Sequence, residues 1–227
     1  MKAMILAAGL GTRMRPLTDS CPKPLLSVAG KPLLEHHILG LKAAGCTEIV
    51  VNAAHLADQI VAFCDEGSPW GVKIQVSLES EPLETAGGII QALSLLEDAP
   101  FLVVNGDVWC PYPFCELETK TLRPEGAHLV LVPNPVQHPA GDFSLGSEGA
   151  VLMPKSGLTL TFAGIALYHP GFFGGLSQGR RPLKPLLDAA ITRGVVTGEA
   201  WQGDWEDVGT PERLAALDRR ESDKNRH

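Results

Sequence analysis

A chain of 227 residues exceeds the roughly 150-residue expectation for one domain, so it forms one large domain or two small ones and has room for a sizeable core. Apolar residues make up 44% and charged residues 20%, close to globular averages, which excludes a disordered chain and a disulfide-built miniprotein. Nineteen Lys and Arg against 26 Asp and Glu leave a net charge of -7 with no basic stripe beyond Arg219 and Arg220, which excludes a phosphate-tracking nucleic-acid surface.

Five cysteines (Cys21, Cys46, Cys64, Cys110, Cys115) are odd in number and lack any C-x-x-C pairing, so they fit neither a disulfide framework nor a zinc cluster and predict a reducing, cytoplasmic setting. The apolar run after Lys2 ends at Gly9 with no small-residue cleavage site, which predicts a first strand rather than a leader. No window approaches the roughly 18 apolar residues of a membrane span.

Residues 3–8 (AMILAA), 48–51 (EIVV) and 101–104 (FLVV) are short, continuously apolar runs, the pattern of strands buried on both faces of a parallel sheet. Helical spacing separates them: Leu33, Leu34, His37, Ile38 and Leu41; then Leu56, Ile60, Val61 and Cys64; then Ala86, Ile89, Ile90, Leu93 and Leu96. With a weaker strand at 72–76, the first 105 residues predict a βαβαβαβ series. The expected class is therefore α/β, a Rossmann-like open sheet with helices on both faces, and its ligands belong beyond the carboxyl ends of the strands. After Asp107 the rhythm changes to strands at 127–132, 158–162 and 165–168 joined by Pro- and Gly-rich turns, a mixed-sheet extension. A helix at 183–193, a strand at 195–200 and a closing helix with Thr210 as N-cap and Pro211 in its first turn follow. No repeat or low-complexity linker divides the chain, and 221–227 reads as a frayed tail.

The loop after the first strand, 7–18 (AAGLGTRMRPLT), places backbone N–H groups where this architecture binds ligand. Gly9 and Gly11 permit a tight curl beside Ala8, Thr12 adds a hydroxyl and Arg13 a planar fork for phosphate oxygens. A dinucleotide fingerprint fits poorly, because its third glycine falls on Met14 and the second strand ends at Asn52 where an acidic ribose ligand is wanted. No Walker A string occurs. Lys23 stands between Pro22 and Pro24, which stiffen the turn presenting it. A plain βα turn and a solvated lysine remain the plainer alternatives, as an ordinary turn residue does for Asp107 after Gly106. His36, His37, His55, His128, His138 and His169 show no ligand spacing and read as core or surface, and Trp201 and Trp205 read as packing.

These strings carry a family resemblance. LAAGLGTRMRPLT with PKPL, followed in order by ETAGG (84–88), NGDV (105–108) and WEDVGTPE (205–212), resembles the sugar-1-phosphate nucleotidyltransferases over almost the whole chain. The resemblance implies one nucleotidyltransferase domain over 1–220, with a nucleotide-binding half (1–108) and a sugar-binding half (109–220). It implies in-line attack by a sugar-1-phosphate oxygen on the α-phosphorus of a nucleoside triphosphate, a reaction driven by positioning and charge neutralisation. Arg13, Lys23 and Asp107 are then the expected catalytic residues. Ala8, Gly9, Gly11, Thr12, Arg13 and Lys23 hold the triphosphate, and Asp107 and Asp207 hold Mg2+. Asp204 and Glu206 are expected as solvated charges. The base pocket falls in 77–88, with Glu79 and Glu81 accepting from the base and Thr85, Gly87 and Gly88 allowing close approach. Many members carry glycine where Glu84 stands and a glutamine near Glu79. A carboxylate takes the N3–H of uracil or two donors of guanine, so the base stays open here. Asn105, Gly141, Asp142 and Gly164 are the expected sugar contacts.

The short length and LETAGG resemble the branch of the family that moves uridylyl from UTP onto N-acetylmuramate α-1-phosphate in peptidoglycan recycling. Mannose-1-phosphate guanylyl transfer, glucose-1-phosphate uridylyl or thymidylyl transfer, and a non-catalytic nucleotide-sugar sensor are the alternatives. The lactyl carboxylate of a muramyl sugar wants a cation, with Arg180, Arg181, Lys184 and Lys155 as candidates. No nucleic-acid or membrane partner is expected, and the chain reads as a monomer or small homo-oligomer.

Overall fold

A computed structural model describes residues 1–154 and 158–224. Seven strands form the main sheet: β1 (Ala3–Leu6), β2 (Glu48–Ala53), β3 (Lys73–Leu78), β4 (Phe101–Asn105), β5 (Ala127–Val132), β6 (Thr161–Tyr168) and β7 (Val196–Ala200). Their order is β7-β5-β6-β4-β1-β2-β3. Strands β4, β1, β2 and β3 run parallel, β6 is antiparallel to both β4 and β5, and β7 is parallel to β5, so one mixed sheet spans both halves of the chain. This is the expected α/β class with its mixed extension.

Strand residues alternate between two cores. Ile5, Val51 and Val104 meet helices α1 (Leu33–Ala43) and α2 (Ala57–Cys64) through Leu34, Ile38 and Ile60. Met4, Val50 and Val103 face α3 (Glu84–Leu96) and α4 (Lys184–Thr192) through Ile89, Ile90, Leu187 and Ile191. A third, smaller core joins Met14 and Leu26 to Val208, Leu214 and Leu217, packing the closing helix α5 (Pro211–Lys224) against the first glycine loop. The Thr210 hydroxyl accepts the Arg213 N–H at 3.4 Å, as an N-cap does.

Four expectations change. β1 ends at Leu6 rather than residue 8, because the Ala7 N–H leaves the ladder for the Asn52 side chain at 2.8 Å. The strands expected at 158–162 and 165–168 are one strand, bulged between Phe162 and Ala166 where Gly164 takes φ +76°. Helix α2 starts after Leu56, whose φ is +51°, and its Val61 is exposed. Glu221 to Lys224 continue α5 instead of fraying, with Lys224 Nζ donating to Glu221 and Asp204; residues 225–227 lie outside the described residues. All five cysteines are free, and among the described residues no helix is long and apolar enough to cross a membrane.

Candidate active site

Strand order reverses between β1 and β4, so the chain leaves these neighbours in opposite directions and a crevice opens beyond their carboxyl ends. It contains a cavity of about 570 Å³ walled by residues 7–14, Lys23, Glu79, residues 81–85, Asp107 and Arg180. A hollow of about 230 Å³ adjoins it, and Asn105 and Asp107 border both.

The glycine loop curls as its sequence requires. Gly11 has φ +62°, and a Cβ there would stand 2.8 Å from Thr18 Cγ2. The Thr18 hydroxyl and the Met14 N–H both donate to the Gly11 carbonyl at 2.8 Å, while buried Met14 anchors the turn and leaves Thr12 and Arg13 exposed on the rim. Nothing lies within 4 Å of a Cβ built on Gly9. Ala8, Gly9, Gly11, Thr12 and Arg13 thus line one wall of the larger cavity.

Lys23 is buried, 7% exposed, and its Nζ donates to Asp107 Oδ2 at 2.6 Å. Its turn is closed by the Leu25 N–H on the Pro22 carbonyl and the Leu26 N–H on the Lys23 carbonyl. A ribbon pairs Val108–Trp109 with Glu206–Asp207, and the Val208 N–H donates to the Asp107 carbonyl at 3.0 Å, so Asp107 and Asp207 meet although 100 residues separate them. Asp207 Oδ2 accepts from Arg213 at 3.0 Å. Each carboxylate therefore carries a cation from another element. Among the described residues no three His, Cys, Asp or Glu side chains gather into a metal cage. Two carboxylates at one cleft suit a hard divalent cation whose shell phosphate oxygens and water complete, so the donor set fits. Neighbouring Glu206 is half-buried rather than solvated, and burial raises its pKa.

On the side expected for the base, Glu79, Glu81 and Thr85 line the cavity, while Gly87 and Gly88 do not. Glu79 is buried, with Oε1 accepting from Asn52 Nδ2 at 2.7 Å and Oε2 from the Leu83 N–H at 2.9 Å. Asn52 Oδ1 in turn accepts the Ala7 N–H, so a buried relay ties the glycine loop to the start of α3 through a carboxylate that also lines the cavity. Gly87 and Gly88 are packing residues. A Cβ on Gly87 would stand 2.5 Å from the Gly179 carbonyl oxygen, and one on Gly88 2.6 Å from Glu79 Oε1. Glu81, Glu84 and Thr85 do line the cavity, and Glu84, at φ +60°, accepts from Arg180 Nε and a terminal guanidinium nitrogen, each at 2.8 Å.

The smaller hollow gathers Asn105, Asp107, Gln137, His138, Phe162, Gly164, Trp205 and Asp207. The Trp205 indole N–H donates to the Ala163 carbonyl at 2.9 Å, so this ring both packs and forms a wall. Gly164 is bound to its role by contact: a Cβ would stand 2.7 Å from Asn105 Nδ2. Gly141 and Asp142 stand behind the wall. Gly141 abuts the Asn134 side chain, and Asp142 Oδ2 accepts the Phe162 N–H at 2.8 Å while Oδ1 lies 3.1 Å from His138 Nε2. The cations expected here are elsewhere. Arg180 borders the larger cavity, Lys184 pairs with Asp188 and lies over the Phe143 ring, Arg181 lines neither hollow, and Lys155 lies outside the described residues.

Sequence reasoning passed over Asn52, Arg213, His37 and His138. Asn52 and Arg213 act through partners remote in sequence, which no local string announces. His37 in α1 is buried with Nε2 unbonded; burial pulls its pKa down to about 4, leaving a neutral imidazole against the Val108 backbone beside Asp107.

The chain is also similar to known proteins. The family model described as "Nucleotidyl transferase" matches residues 2–141. The N-acetylmuramate alpha-1-phosphate uridylyltransferase of Neisseria meningitidis is 50% identical over 94% of this chain and 95% of its own length. That of Caulobacter vibrioides is 34% identical over 96% of each. Among solved structures, HddC from Yersinia pseudotuberculosis complexed with GMP-PN superposes with TM-score 0.80 over 96% of this chain and 98% of its own, at 23% identity, a likeness of fold.

Proposed function

Since the chain belongs to the nucleotidyl transferase family, we propose that it transfers a uridylyl group from UTP to N-acetylmuramate α-1-phosphate, giving UDP-N-acetylmuramate and pyrophosphate in the cytoplasm with Mg2+ as the metal. The observation that carries this reading is the near-full-length 50% identity to a relative of that name, on a chain that brings Lys23, Asp107 and Asp207 to one crevice. Asp107 and Asp207 would hold the divalent metal of the family, which when bound would supply neutralisation of phosphate charge.

The chain's own residues do the rest. The 8–13 backbone and Arg13 cradle the triphosphate and draw charge toward the departing pyrophosphate. Lys23, buried where the two hollows meet at Asp107, exchanges its carboxylate partner for phosphate oxygens and holds the two anions in line. Asn105, bordering both cavities, aligns the sugar against the nucleotide. The test is pyrophosphate release over UTP, dTTP, GTP, ATP and CTP, each against N-acetylmuramate-, N-acetylglucosamine-, glucose- and mannose-1-phosphate with Mg2+. Turnover confined to UTP with the muramyl phosphate is expected. A guanine or hexose preference overturns the substrate reading, and silence across the grid overturns the enzymatic one.

A further inference from the structure

We propose that His138 selects an acidic sugar, its imidazole meeting the lactyl carboxylate of the muramyl substrate in the smaller hollow; this inference rests on the substrate reading above. That hollow is bordered by Asp107 and Asp207, whose charges are already met by Lys23 and Arg213, so a further anion there needs a partner of its own. Among the described residues lining it there is no Lys or Arg, and His138 is the one side chain able to carry positive charge. Two basic residues of the same half serve other partners: Arg180 is taken by Glu84 and Lys184 by Asp188.

The imidazole is held in place. Asp142 is anchored by the Phe162 N–H at the bulge of β6, and it takes one ring nitrogen of His138 at 3.1 Å. The other nitrogen is left to donate to a ligand, and the side chain is 43% exposed, so a ligand can reach it. Asp142 is thereby a positioning residue, fixing which face of the ring a ligand carboxylate meets. N-acetylglucosamine 1-phosphate is the matched control, because it lacks only the lactyl ether.

The experiment compares the two sugar phosphates, as substrate or as competitive inhibitor, on the wild type, His138→Gln and His138→Arg. For His138→Gln the KM of the muramyl phosphate is expected to rise about tenfold, the loss of one charge-assisted contact, with kcat and the N-acetylglucosamine 1-phosphate constant within about twofold. His138→Arg is expected to keep the preference for the acidic sugar. Equal change for both sugars, or no change in either, overturns the inference while the substrate reading stands. A wild type that does not turn over the muramyl phosphate overturns both.

Discussion

The two cavities that share Asn105 and Asp107 are built on different plans. The larger one is walled mainly by contiguous stretches: the loop after β1, the Lys23 turn and the residues opening α3, each positioned by its own backbone. The smaller one is assembled from short contributions of the 135–138 loop, the bulge of β6, the end of β4 and the 205–207 ribbon. Phosphate binding needs N–H groups and fixed cations at one place, which a local curl of chain supplies. On the proposed reading the smaller hollow takes the sugar, whose ring needs donors and acceptors on several sides, which remote segments supply.

The largest effect expected belongs to the larger cavity. Lys23→Ala should lower kcat/KM about a thousandfold with most of the loss in kcat, as for one preorganised electrostatic group. Steady-state kinetics check it, and a loss confined to KM would reduce Lys23 to ground-state binding. Next comes Asn52→Ala, which strips a donor from the buried Glu79 carboxylate and an acceptor from the Ala7 N–H. We expect about 3 kcal/mol of lost stability, a fall in Tm of roughly 5–10 °C, and a rise in the nucleotide KM with little change in the sugar KM. Equal effects on both KM values would show that the relay serves the whole crevice and would erase the contrast between its halves.

That contrast also accounts for what was readable in the sequence. Buried parallel strands announce themselves as continuous apolar runs, and closely spaced glycines mark a tight curl, so β1, β2, β4 and the glycine loop were placed from residue types alone. Asp107 and Asp207 were paired by resemblance, and the 108–109 ribbon with 206–207 is the reason they meet. The relay through Glu79 was not legible, because an acidic loop residue looks the same whether it faces solvent or a buried amide. Gly87 and Gly88 misled because a glycine that admits a ligand and one that admits a neighbouring backbone leave the same trace. His138 read as core or surface because the role proposed for it rests on Asp142 and on the lack of Lys and Arg among the described residues lining the hollow.

Glu84 is the one non-glycine residue in the left-handed region among the described residues walling the larger cavity, and Gly164 the one glycine there in the smaller; these two sharpen the comparison at its smallest scale. Gly164→Ala adds a Cβ at φ +76° and 2.7 Å from Asn105 Nδ2, so both terms oppose the change. It should cost about 2 kcal/mol and move Asn105, raising both KM values. Glu84→Gly sets two terms against each other. It releases about 1 kcal/mol of backbone strain at φ +60° and gives up an exposed ion pair with Arg180 that is worth about 0.2–1 kcal/mol. Tm should therefore hold or rise slightly. Glu84→Ala keeps the strain and loses the pair, so its Tm should fall, and the difference between the two variants in a thermal melt measures the strain itself. Equal Tm values would mean that the loop relaxes at no cost, and the rim of the larger cavity would then be the softer of the two.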